Sequence, residues 1–168
     1  MIARLAALLL ALVLGLSACG ASTSDEAASG ASERPAYADN AGEAGAEQFA
    51  GYWVDTLNEA TTSGDTKTFK SLAAPDCKAC LDFAKRLDTI YGSGGHVETD
   101  GWQIEKIVPE AGATDDEAGL MVTVQIAEQQ VFAEKGAKPQ TYPGGRQGFR
   151  LHLVRNDGEW HVQDLSPR

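Results

Sequence analysis

Basic residues are few: the 168-residue chain carries 14 Lys and Arg against 24 Asp and Glu, a formal net charge of -10 at pH 7. That deficit excludes a sequence-independent grip on nucleic acid, which needs clustered cations to displace counterions. It equally disfavours docking on anionic headgroups through a basic face. Cysteine is scarce, three in all, so a zinc site built on two Cys pairs is out of reach. Aromatics make up only 7% of the chain. No apolar run reaches the roughly 18 residues that a membrane-spanning helix requires. There is no Ser-centred nucleophile elbow, no phosphate-binding Gly loop, no paired-His zinc helix and no internal repeat. Asp115-Asp116-Glu117 lacks the alternating spacing and glycine of a calcium loop and reads as a solvated turn.

The first residues are more telling. Met1 to Arg4 give a short basic start, and Leu5 to Leu16 are Leu, Ala and Val broken only by Gly15. As a helix those twelve residues rise about 18 Å, too little for ~30 Å of hydrocarbon. A basic start and a short apolar stretch are the marks of a secretory signal peptide, residues 1–18. Leu16-Ser17-Ala18-Cys19 then resembles the lipobox of bacterial lipoproteins. The resemblance implies cleavage before Cys19, a diacylglycerol thioether on its Sγ and Cys19 as the mature N-terminus. Two chains anchor a protein stably where one does not. The expected location is therefore the extracytoplasmic face of the cell membrane, with the membrane reached through lipid alone.

From Gly20 to Gln48 the composition is Ala, Gly, Ser and acids, with Arg34 the only base and Tyr37 the only aromatic. Such a stretch buries too little apolar surface to offset its ordering entropy, so residues 19–48 read as a lipidated Cys plus a disordered tether of about 30 Å. A domain is expected over 49–168. Phe49, Tyr52, Trp53, Leu57 and Ala60 recur at helical spacing, with Gly64 as the stop. Asp65 is placed to cap a short helix bearing Phe69 and Leu72, and Asp76 to cap a third with Leu81, Ala84, Leu87 and Tyr91. The period then changes to two. Strands are expected from Trp102 to Pro109, from Leu120 to Ile126 with continuation to Phe132, and from Phe149 to Leu153. Asn156-Asp157-Gly158 turns into a last strand through Trp160, Val162 and Leu165. Helices first and antiparallel strands afterwards make an α+β domain, with N-terminal helices packed on a curved antiparallel sheet.

That order of elements resembles the nuclear transport factor 2-like superfamily, a cone-shaped fold. Within it, Phe49-x-x-Tyr52-Trp53, Ser63-Gly64-Asp65 and Leu72-Ala-Ala-Pro-x-Cys77-x-x-Cys80 resemble a family of actinobacterial lipoproteins of unknown function, over residues 45–165. The superfamily holds isomerases, dehydratases and non-catalytic binding domains, so the resemblance implies a fold and no chemistry.

Few residues are candidates for a site. Cys77 and Cys80, the two cysteines left in an exported domain, read as a disulfide fixing the turn before the third helix. A redox-active pair is the alternative, since a helix N-terminus lowers a thiol pKa. His96 is a third zinc ligand only if the Gly-rich loop around it folds back, and reads as solvated. His152 and His161 lie on adjacent strands; with Asp164 or Asp100 they make an acid/base set if they face the cone, and a solvated pair if they face out. Trp102 and Trp160 begin strands and are placed to rim the cone, while Trp53 reads as core. The segment from Glu134 to Gly148, bearing Tyr142, is a lid or a mobile connection. The reading that results is a binding or interaction module of the cell envelope, without metal or other cofactor, facing a small ligand or an envelope protein. Its alternative is a small enzyme, either a thiol oxidoreductase or an isomerase-like acid/base catalyst.

Overall fold

The computed structural model describes residues 34–168. The signal segment, Cys19 and the tether as far as residue 33 lie outside the described residues. Order begins earlier than composition suggests: a 3-10 turn, Ala36–Asp39, precedes the first helix α1, Gly42–Ser63. Residues 34–48 are thus part of the domain. Small side chains are what allow it, because Ala38 and Ala46 are fully buried and their methyl groups pack closely rather than filling volume. Helix α1 then carries Phe49, Trp53, Leu57 and Ala60 on its buried stripe and ends at Gly64, which is left-handed at φ 78°.

Helix α2, Lys67–Ser71, is short. Thr66 rather than Asp65 is its N-cap, and Asp65, one residue before, accepts the Lys67 backbone N–H on Oδ1 at 3.0 Å. Asp76 does not cap helix α3, Lys78–Gly92; Cys77 is the N-cap, and Asp76 Oδ2 instead accepts Gln163 Nε2 at 2.6 Å. Between these helices the chain runs beside the last strand: Ala74 N–H donates to Val162 O and Val162 N–H to Leu72 O. An otherwise open sheet edge is covered there.

Seven strands follow: β1 His96–Thr99, β2 Trp102–Pro109, β3 Glu117–Ile126, β4 Gln129–Phe132, β5 Gln140–Tyr142, β6 Gly145–Asn156 and β7 Glu159–Pro167. They form two antiparallel sheets, ordered β1-β4-β5 and β2-β3-β6-β7. The pairs β1/β2, β3/β4 and β5/β6 are each separated by two residues, at 100–101, 127–128 and 143–144. Three neighbouring strands therefore bend along one line, and the small sheet is the large one folded inward. Glycines permit the bend. Gly101 has φ 82°, and a Cβ on Gly144 would stand 2.2 Å from the Ile126 carbonyl oxygen. The bend is tied by Ala127 N–H donating to Gly101 O.

The alternation in β3 and β6 turns Ala118, Leu120, Val122, Val124, Leu151 and Leu153 toward the helices, all 2% exposed or less. The β6–β7 turn has Asp157 at φ 52° and Gly158 at φ 88°, both left-handed, as a two-residue hairpin turn wants. Pairing runs in one register from Asn156/Glu159 to Leu153/Val162, a register that a two-residue turn at Asp157-Gly158 sets and that would carry His152 opposite Gln163. A bulge then sets His152 opposite Asp164 instead.

On the outer face Arg150 grips Glu110 with Nε and Nη2 at 2.7–3.0 Å. That guanidinium holds the Glu110 carboxyl below its ordinary range, and Lys70 with Thr66 does the same for Asp88. A carboxylate whose pKa is lowered by folding stabilises the native state above its unfolded value and stops doing so as pH falls through the native one. Thermal melts should accordingly give one midpoint from pH 7 down to about 5 and a falling one below about 4, where the carboxyls protonate in the unfolded chain while these two stay ionised in the native one. A midpoint that rises as pH drops from 5 to 3 would contradict the assignment.

Candidate functional site

The bend leaves a groove between α3 and the concave side of the sheets, floored by α1. Three connected chambers make it up. The inner one, about 350 Å³, is walled by Trp53 and Leu57 of α1, Phe69 of α2, Cys80 and Phe83 of α3, and Trp102, Phe149 and Leu165 of the large sheet. A middle chamber of about 390 Å³ continues past Ile90, Val97, Ile126 and Val131 to Tyr142. The outer one, about 690 Å³, opens between Lys85, Arg86 and Thr89 of α3 and Gln140 and Tyr142 of β5. Each lies within the ~300–1,000 Å³ typical of small-molecule sites, and apolar walls with few polar groups are how such sites are built.

The walls are held firmly. Trp102 stacks on Phe149 with ring centroids 5.0 Å apart and planes 13° from parallel. Asn58 of α1 clamps its backbone from both sides, Nδ2 donating to Trp102 O at 2.9 Å and Oδ1 accepting Trp102 N–H at 2.8 Å. A Cβ on neighbouring Gly101 would come within 2.5 Å of Asn58 Oδ1, so glycine lets the clamp close. Phe69 joins Trp53 to Phe83 through ring centroids 5.6 and 5.8 Å apart. Trp53 is 2% exposed, and its Nε1–H has no acceptor among the described residues.

Among the described residues that line these chambers, the charged ones all lie on α3. Asp82 and Arg86 line both the inner and outer chambers, Arg86 lines the middle one as well, and Lys85 adds a second cation outside. Arg34, Arg146, Arg150 and Arg155 each meet a carboxylate, respectively Asp39, Glu105, Glu110 and Asp116. Among the described residues Arg86 makes no such pair, although the chain has acids in excess.

The residues singled out from sequence divide between groove, core and outer face. Trp102 and Tyr142 line the groove, and Cys80 is part of its wall. Cys77 and Cys80 are joined in a disulfide with Cα atoms 5.4 Å apart, and both are buried. Trp160 is not at a rim. It is fully buried, with Nε1–H donating to Asn40 O at 2.7 Å, because the ordered arm at 34–40 covers it. His152 and His161 lie on the face away from the helices, opposite in parity to Leu151, Leu153 and Val162. His152 Nε2 is 2.9 Å from Glu117 Oε1, and His161 Nδ1 is 3.0 Å from Glu159 O. Neither lines the groove, so the acid/base set in the cone has no histidine. His96 is in strand β1, stacked on Phe132 at 4.3 Å, rather than in a loop. Residues 134–148 are no single long loop, since β5 and the start of β6 fall within them. Arg86 and Asn58 were missed from sequence. One is a cation on a polar helix face and the other a polar residue in a helix, and neither carries a local signal.

The disulfide makes a further expectation. Its ring spans four residues, so the chain-entropy model gives about 2 kcal/mol at most. A Cys77→Ala, Cys80→Ala double variant should keep the fold and lose about 2 kcal/mol or less in urea unfolding. The native domain should show no titratable thiol before reduction. A loss above about 4 kcal/mol would mean that the bridge holds more than the local turn.

Among the described residues no helix is long and apolar enough to cross a membrane, and no group of three His, Cys, Asp or Glu is placed to hold a metal. The fold is shared with proteins distant in sequence. The intermembrane space region of the chloroplast protein ARC6 superimposes with a TM-score of 0.54 at 11% identity, over 73% of this chain and 92% of that one. An uncharacterised protein with a cystatin-like fold from Caulobacter vibrioides gives 0.45 at 12% identity, over 73% and 89%. A protein of unknown function from Mycobacterium tuberculosis gives 0.48 at 11% identity, over 73% and 74%. The mixed α+β arrangement, helices first and antiparallel sheets after, is the fold shared with the ARC6 region. No curated protein matches the chain. One family model does, over residues 25–166, and on that match the chain belongs to a family of unknown function, DUF6318.

Proposed function

We propose that this protein is a lipid-anchored binding module on the extracytoplasmic face of the cell membrane, and that its groove takes an apolar small molecule. The groove carries this reading. It is walled by Trp53, Phe69, Phe83, Trp102 and Phe149, has no histidine in its lining and is held open by the Asn58 clamp. Anchoring rests on the sequence Leu16-Ser17-Ala18-Cys19 and the apolar segment before it. A folded domain tethered by lipid and carrying a preformed apolar groove suits capture and presentation of a ligand better than turnover.

Two experiments test the two halves. In a bacterial host the full chain should incorporate labelled palmitate and sediment with membranes, and Cys19→Ala should do neither. The neutral fluorophore N-phenyl-1-naphthylamine should bind the domain 34–168 at one saturable site with enhanced emission. Phe83→Asp, which replaces an aromatic wall residue by a carboxylate, should weaken that binding at least tenfold, because an apolar ligand would have to desolvate the charge. Absence of saturable binding would remove the groove reading. Palmitate-independent membrane association would remove the anchor.

A further inference from the structure

We infer that the ligand of the groove is an amphiphile with one apolar tail and an anionic head, a long-chain carboxylate or a phosphate monoester, and that Arg86 binds the head. The inference rests on the reading of the groove as a binding site. Arg86 alone lines all three chambers, so it stands where a tail lying along the inner and middle ones would place its polar end. Phe83 and Ile90, three residues before and four after it on α3, lie on the same helix face, and the aliphatic stem of the arginine can extend across them while the guanidinium stays wet.

Charge complementarity selects the sign of the head. Asp82, Lys85 and Arg86 are the charged residues of the groove, and their sum is +1 in a chain whose net charge is -10. Arg34, Arg146, Arg150 and Arg155 are engaged by carboxylates, whereas Arg86, like the C-terminal Arg168, meets none among the described residues; of these two only Arg86 lines the groove, where its planar fork is open to an oxyanion. A cationic head would meet Asp82 but also Arg86 and Lys85 and is disfavoured. A neutral head would leave the guanidinium without a partner.

The probe is N-phenyl-1-naphthylamine, displaced from the domain 34–168 by dodecanoate, dodecyl phosphate or dodecanol, each below its micellar concentration. At least one anion should displace it at a concentration about fivefold or more below that of dodecanol, the size expected of a charge-assisted contact at a solvated mouth. The better anion identifies the head as carboxylate or phosphate. Arg86→Gln should remove the preference, read as the ratio of anion to dodecanol displacement within that variant, Arg86→Lys should restore part of it, and 1 M salt should compress it. Equal displacement by dodecanol and both anions, with the fluorophore still bound, would overturn the inference alone. So would a preference that survives in Arg86→Gln. Failure of the fluorophore to bind wild type would overturn the groove reading and the inference with it.

Discussion

Replacing Trp160 with alanine is expected to cost about 3–5 kcal/mol in urea unfolding, a large share of the ~5–15 kcal/mol available to a domain. Trp160 is fully buried at the start of β7, and its indole N–H is bonded to Asn40 O at 2.7 Å. Alanine removes most of the side-chain volume from a close-packed site and strands the Asn40 carbonyl. The same carbonyl belongs to the arm that covers this end of the core. Arg34 reaches Trp160 O at 2.8 Å and lies 5.2 Å over the Phe49 ring, and Arg155 Nη2 donates to Asp39 O at 3.0 Å. Trp160→Phe keeps the ring and loses the bond, so about 1–3 kcal/mol is expected. A loss below about 1 kcal/mol in the alanine variant would mean that the residue is not the core element described here.

Gly45→Ala is the second large effect, and its sign discriminates. Helix propensity alone predicts a gain of about 1 kcal/mol from exchanging an interior glycine for alanine. The structure predicts the reverse, because a Cβ on Gly45 would stand 1.6 Å from Asn40 O, a backbone atom that cannot move aside alone. The arm must lift, which breaks the Trp160–Asn40 bond and loosens Arg34. A net loss of about 1–3 kcal/mol is expected once the propensity gain is subtracted. Cleavage by a nonspecific protease between residues 34 and 41 should accelerate. Combined with Trp160→Phe the losses should be less than additive, since both substitutions break one contact. A stabilised Gly45→Ala would show that the arm does not pack as described.

These two sites also show where the sequence was readable and where it was not. The stripe from Phe49 to Ala60, the Gly64 stop, the strand alternation of Leu120 to Ile126 and the Asp157-Gly158 turn each state their structure locally, and each is found. The arm is different. Its burial rests on Ala38, Gly45 and Ala46, whose smallness is indistinguishable in composition from that of a disordered spacer. Trp160 was placed at a rim for the same reason, since what covers it is invisible until the arm is known to fold. The bend of the sheet hides in dipeptides such as Asp100-Gly101, Ala127-Glu128 and Pro143-Gly144, which are ordinary one at a time and meaningful only side by side. The groove is a product of that bend. Trp102 was legible as an aromatic at a strand start and Tyr142 as one in a Gly/Pro-rich segment, whereas Arg86 stands out only when the walls of the groove are seen.

The histidines teach the converse. Parity against Leu151 and Leu153 places His152 outside the cone, and it lies there beside Glu117. The bulge changes its cross-strand partner to Asp164 without changing its face.

The three tryptophans test the central claim in one measurement. Their indole N–H signals, assigned by single Trp→Phe variants of 34–168, can be followed by NMR while dodecanoate is added. Trp53 and Trp102 line the inner chamber, and Trp160 is sealed under the arm with its N–H bonded to Asn40. Binding in the groove should move the Trp53 and Trp102 signals along one saturation curve and leave Trp160 in place. Signals that stay fixed throughout, or a response confined to Trp160, would contradict it.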